Sequence, residues 1–331
     1  MGGFCAARFH DAIENWHLSP AELRPSEHPS QKGFSFVVDH SDLTLTAGTL
    51  HLELSPSIGG SIRNFTQVVG GRRTPLLRES HSDKRTVLEH ACFPLVPYVN
   101  RIRGGEFEFR GETIRLAPNM AGDPSPLHGQ GWLGEWSVES AGAADAELFF
   151  RHEAGEWPWA YEALQTFALD PQGLSVRLQC RNRSHRPMPC GLGLHPYFPC
   201  DGGTRLDTVV KTVWEIDENV LPTREVPAEG RYDLRDRAVC GQGLDHGFGG
   251  WGGEARMWEE GGERRLIMSS PDAHFFQLYS PPTGGIYVAE PVTHANAALN
   301  APEERWPELG MRVLGPGEDV TLRMRIEVAH G

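Results

Sequence analysis

Residues 320–328, near the end of the chain, read VTLRMRIEV, and apolar side chains alternate with polar ones over the whole stretch. A period of two is typical of a β-strand that buries one face and shows the other to water. Residues 174–180, LSVRLQC, repeat the pattern. The two stretches therefore predict two strands of an antiparallel sheet, whose outer face is solvated.

The same period recurs upstream and is interrupted by turn residues. Gly48 separates two alternating stretches, and Arg110-Gly111 separates two more. These patterns predict two hairpins. The alternating apolar positions are Leu43 and Leu45, Leu50, Leu52 and Leu54, Phe107 and Phe109, and Ile114 and Leu116. A helical pattern is scarce, with one or two turns predicted over residues 302–309.

Many short strands with 38 Gly and 25 Pro to make turns predict an all-β protein, a large antiparallel β-sandwich. We expect residues 34–331 to form it as a single domain. Residues 1–33 are an N-terminal extension in this interpretation. Phe9, Ile13 and Trp16 predict a short helix within residues 4–18, and the prolines of residues 19–33 predict a linker.

The chain carries 44 acidic and 31 basic residues, a net charge of −13. Such a charge repels nucleic acids and anionic membranes, so neither is an expected partner. No stretch approaches the roughly 20 apolar residues of a membrane-spanning helix. The first residues lack the basic and apolar parts of a signal peptide, so the expected location is the cytoplasm.

The cysteines and histidines do not follow a metal-binding pattern. None of the six Cys forms a C-x-x-C pair, and the 15 His form no H-E-x-x-H motif. We therefore expect no metal and no other cofactor. A chain of this length does not need disulfides to hold a core, and a reducing compartment disfavours them.

Five polar segments in Gly- and Pro-rich surroundings break the two-residue period, as loops that carry a site do. They are Asn100-Arg101, Leu127-His128-Gly129, residues 193–198 (GLHPYF), residues 244–248 (LDHGF) and residues 290–294 (EPVTH).

In order and rough spacing, these segments resemble those of the aldose 1-epimerase (galactose mutarotase-like) family. The resemblance runs from about Leu52 to Val328 and includes GGSI at residues 59–62 and LLR at residues 76–78. It implies a supersandwich of large curved sheets with the sugar site in a cleft. Each motif alone is weak, but five in the same order are specific.

Anomer exchange of a sugar needs a base for the C1 hydroxyl proton and an acid for the ring oxygen. By resemblance, Glu290 is the base and His195 the acid, and His128 lies at the ring oxygen. A carboxylate and an imidazole have suitable ordinary pKa values, near 4.3 and 6.5. We also expect nearby carboxylates to raise the pKa of His195 and keep it protonated.

Arg101 and Asp245 match family residues that bind sugar hydroxyls, and Asn100 and Gln277 are further candidates. Each of these residues also has a structural interpretation that gives it no role in a sugar site. Asp245 could form an Asx turn and Arg101 could be a surface charge. His246 and His294 are more readily interpreted as structural residues, while Trp251, Tyr98 and Phe198 could line the pocket or the core.

The predicted function is an aldose 1-epimerase acting on a free sugar, as a monomer or homodimer. Three alternatives stay open. A glycoside hydrolase would use Glu290 and Asp245 as its two carboxylates. A phosphorylated hexose would need a cationic pocket, for which Arg63, Arg72 and Arg73 are available. A non-catalytic sugar-binding protein could share the fold.

Overall fold

The computed structural model describes residues 41–81, 85–262 and 264–330. The predicted helix over residues 4–18 and the linker over residues 19–33 lie outside these described residues. The extent of the N-terminal extension, and the start of the domain at residue 34, therefore stay predictions.

The described chain consists mainly of short strands, as the period-two patterns predict. The first twelve, in chain order, are β1 (Leu43–Ala47), β2 (Leu50–Ser55), β3 (Ser61–Val69), β4 (Arg72–Pro75), β5 (Pro94–Leu95), β6 (Glu106–Phe109), β7 (Glu112–Arg115), β8 (Ser137–Ala141), β9 (Asp145–His152), β10 (Tyr161–Asp170), β11 (Gly173–Asn182) and β12 (Met188–Cys190). The remaining strands are β13 (Gly193–Leu194), β14 (Tyr197–Pro199), β15 (Thr204–Thr208), β16 (Thr212–Ile216), β17 (Pro222–Pro227), β18 (Arg237–Ala238), β19 (Leu244–Gly249), β20 (Glu254–Glu259), β21 (Arg264–Ser269), β22 (Phe275–Ser280), β23 (Ile286–Val292), β24 (Arg312–Leu314) and β25 (Asp319–His330).

Helical structure is confined, in the described ranges, to single turns of 3-10 helix. They span Val87–Glu89, Arg103–Gly105, Gly230–Tyr232, Ala298–Asn300 and Glu303–Arg305. The last of these corresponds to the helical turn predicted over residues 302–309. None of the described helices is long and apolar enough to cross a bilayer.

Two large antiparallel sheets form the body of the protein. The nine-stranded sheet has the order β18-β15-β20-β21-β25-β11-β10-β9-β8. The eight-stranded sheet has the order β17-β16-β19-β22-β23-β13-β5, and β14 also pairs with β23. A four-stranded sheet, β1-β2-β3-β4, and two hairpin-sized sheets, β6-β7 and β12-β24, complete the fold.

Apolar and polar side chains alternate along the strands, so each large sheet has one apolar face, and the two apolar faces pack against each other. Leu174, Val176 and Leu178 of β11 lie opposite Ile326, Met324 and Leu322 of β25, and all six are buried. The same hydrophobic cluster contains Phe276 and Leu278 of the other large sheet. Fully burying one such side chain contributes about 1.5–3 kcal/mol. The predicted all-β sandwich is therefore confirmed.

Both predicted hairpin turns also occur. Gly48 joins β1 to β2 with a φ of +59°, and Arg110-Gly111 joins β6 to β7 with φ values of +52° and +80°. Two consecutive left-handed residues are the requirement of a type I′ turn, which matches the right-handed twist of the strands.

Two of the cysteines form a disulfide, which the even number of Cys permits although a chain of this length does not need one. Cys200, after β14, and Cys240, after β18, form a disulfide across a sequence separation of 40 residues. Cys92, Cys180 and Cys190 are buried free thiols. The disulfide joins the segments that follow β14 and β18, a pairing that depends on tertiary structure and that Cys spacing does not reveal.

Candidate active site

Adjacent strands of the eight-stranded sheet align four of the predicted site residues. Gln277 on β22 pairs directly with Glu290 on β23. Gly193 and Tyr197 pair with Val292 and Val288 of the same strand, and that register extended places His195 opposite Glu290. Residues opposite each other in a sheet project to the same face. The period-two geometry therefore brings together residues that are far apart in sequence.

The contacts within this row are short. His195 Nε2 lies 3.4 Å from Glu290 Oε1, and both side chains are almost fully buried. Gln277 Nε2 donates to Asp245 Oδ1 at 2.9 Å. Asp245 lies on β19, the neighbour of β22. One end of the row thus carries the His195 imidazole and the Glu290 carboxylate, and the other end carries the Gln277 amide and the Asp245 carboxylate.

Two loops add His128 and Asn100 beside this row. Both residues have left-handed backbones, with φ values of +59° and +57°. The Asn100 backbone N–H donates to His128 Nδ1 at 3.1 Å, and the His128 N–H donates to the Asn100 carbonyl at 3.0 Å. Accepting at Nδ1 leaves the proton of a neutral His128 on Nε2. Its ring meets that of His195 edge to face, with 5.6 Å between centroids.

Arg101 is fixed by polar partners on both sides. Its Nε donates to Asp123 Oδ2 at 2.8 Å, and its Nη1 donates to Asn100 Oδ1 at 3.1 Å. The Arg101 and Asp123 side chains are 6% and 9% exposed, so this is a buried ion pair. Such a pair needs close partners to offset desolvation, and here it holds the guanidinium near Asp245.

Aromatic rings support the histidines from the inside. Phe93 stacks on His195 at 4.5 Å between centroids, and Tyr197 contacts the same imidazole at 4.7 Å. Trp132 stacks on Phe93 and donates its indole N–H to the carbonyls of Leu127 and Gly129, on either side of His128. These contacts exclude water from the inner side of the two imidazoles and restrict their rotation.

Burial controls the two carboxyl groups. It raises the pKa of Glu290 well above its ordinary value, and the neighbouring Asp245 raises it further, against the opposing effect of Arg101. Burial also raises the pKa of Asp245, although Arg101 and the Gln277 hydrogen bond oppose it. Strongly shifted groups of this kind cluster at functional sites.

The expectation that nearby carboxylates raise the pKa of His195 and keep it protonated is wrong. Burial lowers the pKa of His195 to about 3, and the positive charge of Arg78 adds to the effect. Burial, His195 and Arg101 lower the pKa of His128 well below its ordinary value. Desolvation disfavours every charged form here, so burial favours a neutral His195 beside a protonated Glu290.

The seven predicted site residues thus lie close together, on two neighbouring cavities and between them. Asn100, Gln277 and Glu290 line one cavity, which also includes Trp214 and Phe275. Arg101 and Asp245 line a second cavity with Asp123. Contacts within the row and between the loops place His195 and His128 between these residues.

Sequence reasoning missed several supporting residues. Asp123, Phe93 and Trp132 carry no motif of their own, since an aromatic residue before a strand is equally typical of a core. Conversely, Trp251 stacks on Phe276, Tyr98 packs on Trp157, and Phe198 stacks on Tyr287. These three belong to the core and not to the cleft.

His294 and His246 make structural contacts, as the sequence interpretation of both as structural residues predicts. The Val99 N–H donates to His294 Nε2 at 2.9 Å, and His294 Nδ1 lies 2.8 Å from the Ala295 carbonyl. His246 Nδ1 accepts from the Asp245 N–H, and its ring contacts Tyr232. Across residues 41–81, 85–262 and 264–330, no cluster of three or more His, Cys, Asp or Glu is arranged to hold a metal ion.

The sequence profile described as aldose 1-epimerase matches residues 42–327, which is most of the chain. The chain belongs to this family. Escherichia coli K12 contains a relative, the uncharacterized protein YphB, that is 32% identical over 296 residues, covering 86% of this chain and 98% of YphB. Family membership implies an epimerase-type isomerase, while the substrate of this member is a separate question.

Solved structures show the same fold. A provisionally named aldose 1-epimerase from Escherichia coli K12 aligns with a TM-score of 0.78 at 30% identity, over 88% of this chain and 99% of that one. A galactose mutarotase-like protein from Clostridium acetobutylicum also reaches a TM-score of 0.78, at 18% identity, over 88% of this chain and 96% of its own. At that identity the likeness to the second protein concerns the fold alone.

Proposed function

We propose that the protein is an aldose 1-epimerase that interconverts the α and β anomers of a free aldose. The observation that carries the proposal is the buried His195–Glu290 pair, with 3.4 Å between Nε2 and Oε1, beside hydroxyl-binding groups on the same sheet face. A hemiacetal needs a proton acceptor and a proton donor within reach of two oxygens bonded to one carbon. A closely spaced pair of this kind meets that need.

The pair holds one proton between its two members. Desolvation by the protein favours this proton on Glu290. Glu290 as base requires the proton on His195 instead, so we propose that it crosses between Oε1 and Nε2 as the sugar displaces water. The transfer turns a neutral pair into an imidazolium and a carboxylate, and their attraction at close contact offsets part of the desolvation cost.

The proposed reaction then balances without any other participant. Glu290 takes the C1 hydroxyl proton, the C1–O5 bond breaks, and the His195 Nε2–H passes its proton to O5. The open aldehyde rotates about C1–C2, and both proton transfers reverse as the ring closes on the other face. His128 Nε2–H donates toward O5 and stabilises the charge that develops there.

Arg101, Asp245, Gln277 and Asn100 are proposed to bind the remaining hydroxyls. An ionised carboxylate accepts hydroxyl protons, whereas a guanidinium donates to hydroxyl oxygens. The Arg101–Asp123 and Gln277–Asp245 contacts orient these groups before a ligand arrives. A preorganised site does not spend binding energy on ordering its side chains.

The phosphorylated-hexose alternative has less support. Arg63 pairs with Asp42 and Glu53, and Arg73 pairs with Glu53. Arg72 lines a cavity with Trp258 and Tyr287 that shares no residue with the cleft. The three arginines considered for a phosphate therefore lie on the four-stranded sheet and not beside His195.

The cytoplasmic location and the monomeric or homodimeric state are part of this proposal. Disulfides are uncommon in a reducing cytoplasm. Alkylation of Cys200 and Cys240 in rapidly quenched cells, read by mass spectrometry, tests the location. Free thiols at both positions would support the cytoplasm, whereas an intact Cys200–Cys240 bond would count against it.

The function is tested by dissolving crystalline α-D-glucose and α-D-galactose and following optical rotation. We expect wild type to accelerate equilibration of at least one sugar. Glu290→Gln keeps the side-chain shape but removes the base, so its rate should fall by about 10²–10⁴-fold. Glu139→Gln, at an exposed glutamate, is the matched control and should behave as wild type. Rates equal to the buffer blank with both sugars would contradict the proposal.

A further inference from the structure

A side cavity of about 270 Å³ opens next to the proposed catalytic cleft. Its walls are mainly apolar and include Ile58, Val87, Leu88, Met120, Trp132 and Leu133. Leu133 is 44% exposed and is one of three exposed large apolar side chains among the described residues. Exposed apolar surface that faces a cavity, and not open solvent, is a feature of binding sites.

The side cavity lies next to the cavity that contains Arg101 and Asp245, and the two share residues 120–121. Met120 and Ala121 line the side cavity, and they also line the cavity that contains Arg101 and Asp245. The loop that holds His128 is hydrogen-bonded to residues that line the side cavity. Asn119 and Trp132, both of the side cavity, donate to the Leu127 and Gly129 carbonyls of that loop.

The position of His128 orients the sugar relative to this cavity. In the proposed reaction, C1 lies at Glu290 and the ring oxygen lies between His195 and His128. The other ring neighbour of that oxygen is C5, which must lie away from Glu290 and on the His128 side. The substituent that C5 carries, C6 with its oxygen, is therefore the part of the sugar nearest the side cavity.

The side chains that line the cavity determine which substituent on O6 it can bind. Arg85 is the cationic residue of the lining, and it lies at the exposed rim. Both polar atoms of the Asn119 amide are used within the His128 loop. A phosphate pressed among the remaining apolar walls would lose its hydration without compensation. A pyranose ring, in contrast, packs its C–H faces on apolar side chains while its hydroxyls reach the open mouth.

We infer that the substrates are aldohexoses glycosylated at O6, with the reducing ring in the catalytic cleft and the second pyranose in this side cavity. The inference rests on the proposed function, because it assumes the sugar orientation given there. The size agrees with it, since sites that enclose a whole small molecule span about 300–1,000 Å³ and this cavity has to enclose only one ring.

The test compares anomer exchange in isomaltose, maltose, glucose and glucose 6-phosphate by NMR exchange spectroscopy at equilibrium. Isomaltose carries its second ring on O6 and maltose carries it on O4, so the two differ only in where that ring points. We expect kcat/KM to be at least about tenfold higher for isomaltose than for maltose, and no lower for isomaltose than for glucose.

Leu88→Trp fills the cavity and should lower the isomaltose-to-glucose ratio of kcat/KM by about tenfold. Leu133→Trp, at the exposed rim, serves the same purpose if the first variant does not fold. Val209→Trp is the matched control, since Val209 is 56% exposed and lines none of these cavities.

The outcomes separate the two proposals. Active glucose exchange with isomaltose slower than maltose, or with the ratio unchanged in both filled variants, overturns the side-cavity assignment and leaves the epimerase intact. A preference for glucose 6-phosphate over isomaltose also overturns it. No acceleration with any of the four sugars removes the proposed function, and the side-cavity assignment with it.

Discussion

At the scale of single residues, the proposed catalytic pair, His195 and Glu290, should determine how activity depends on pH. Burial lowers the pKa of His195 to about 3 and raises that of Glu290 well above its ordinary value. The pair therefore keeps one proton over a wide range around neutrality, and its two members titrate together. We predict that kcat/KM for mutarotation changes by less than about twofold between pH 5 and pH 7.5.

Buffer-corrected initial rates over this range check that prediction. The acid limb should lie below pH 5, where a second proton enters the pair, because adding it removes the base. An approximately tenfold loss of activity centred near pH 6.5 would instead mean that an ordinary imidazolium is the catalytic acid.

Arg78 contacts the proposed catalytic pair through another residue. Its guanidinium lies 3.6 Å from the centroid of the Tyr197 ring, and it donates to the carbonyls of Leu88 and His90. Tyr197 in turn contacts the His195 imidazole. A cation over an aromatic face contributes about 0.5–2 kcal/mol, enough to fix that ring. We interpret Arg78 as a positioning residue.

Arg78→Met should lower kcat by about tenfold with KM nearly unchanged, since the sugar-binding groups stay in place. It should also move the acid limb of the pH profile upward, because the charge that lowers the pKa of His195 is lost. Arg78→Lys should restore the acid limb better than kcat. Arg186→Met removes a similar cation over Trp159, outside the cleft, and is the control. An unchanged pH profile in Arg78→Met would contradict the positioning role.

At the scale of elements, the loop that holds His128 turns at Gly129, which has a left-handed backbone and packs directly against Val96. Gly129 has a φ of +72°, and a Cβ there would lie 2.2 Å from the Val96 carbonyl oxygen. Gly111, in the β6–β7 turn, has a similar φ of +80° but open space around it. The two glycines therefore share a backbone requirement and differ in packing.

Gly111→Ala should cost about 1 kcal/mol of unfolding free energy, since only the backbone conformation is strained. Gly129→Ala should cost about 3 kcal/mol or more and should reduce mutarotation, because the loop that holds His128 must shift. Urea unfolding followed by fluorescence, with rotation assays on both variants, measures the difference. Equal costs at both positions would show that the Val96 contact is not limiting.

Strands and turns with a local sequence pattern could be predicted, whereas the residues that contact them from distant parts of the chain could not. The pattern at residues 320–328 predicts β25, and Arg110-Gly111 predicts a hairpin turn, because each signal is local. The Asp123 partner of Arg101 and the Phe93 stack on His195 depend on contacts between distant segments. The lowered pKa of His195 was missed for a related reason: burial depends on the whole fold, whereas the expectation considered only nearby charges.

At the scale of the whole molecule, the sandwich supplies a rigid sheet face, and burial of that face has a cost at acid pH. His294 lies beside the cleft, is buried, and has its pKa lowered by burial to about 4. An unfolded histidine titrates near 6.5. Between these values the unfolded chain binds a proton that the folded protein does not. The stability that depends on neutral His294 is therefore complete above pH 6.5 and is lost as the pH falls toward 4.

His294→Gln should remove this part of the pH dependence while keeping an acceptor for the Val99 N–H. One titrating group changes stability by up to about 1.4 kcal/mol per pH unit, so wild type should lose roughly 2–3 kcal/mol more than the variant between pH 7 and pH 4.5. Urea unfolding at both pH values measures the two losses, and His185→Gln, at an exposed loop position, should follow wild type. If the losses of wild type and His294→Gln are parallel, His294 is protonated in the folded protein, and its hydrogen bond from Val99 cannot exist as described.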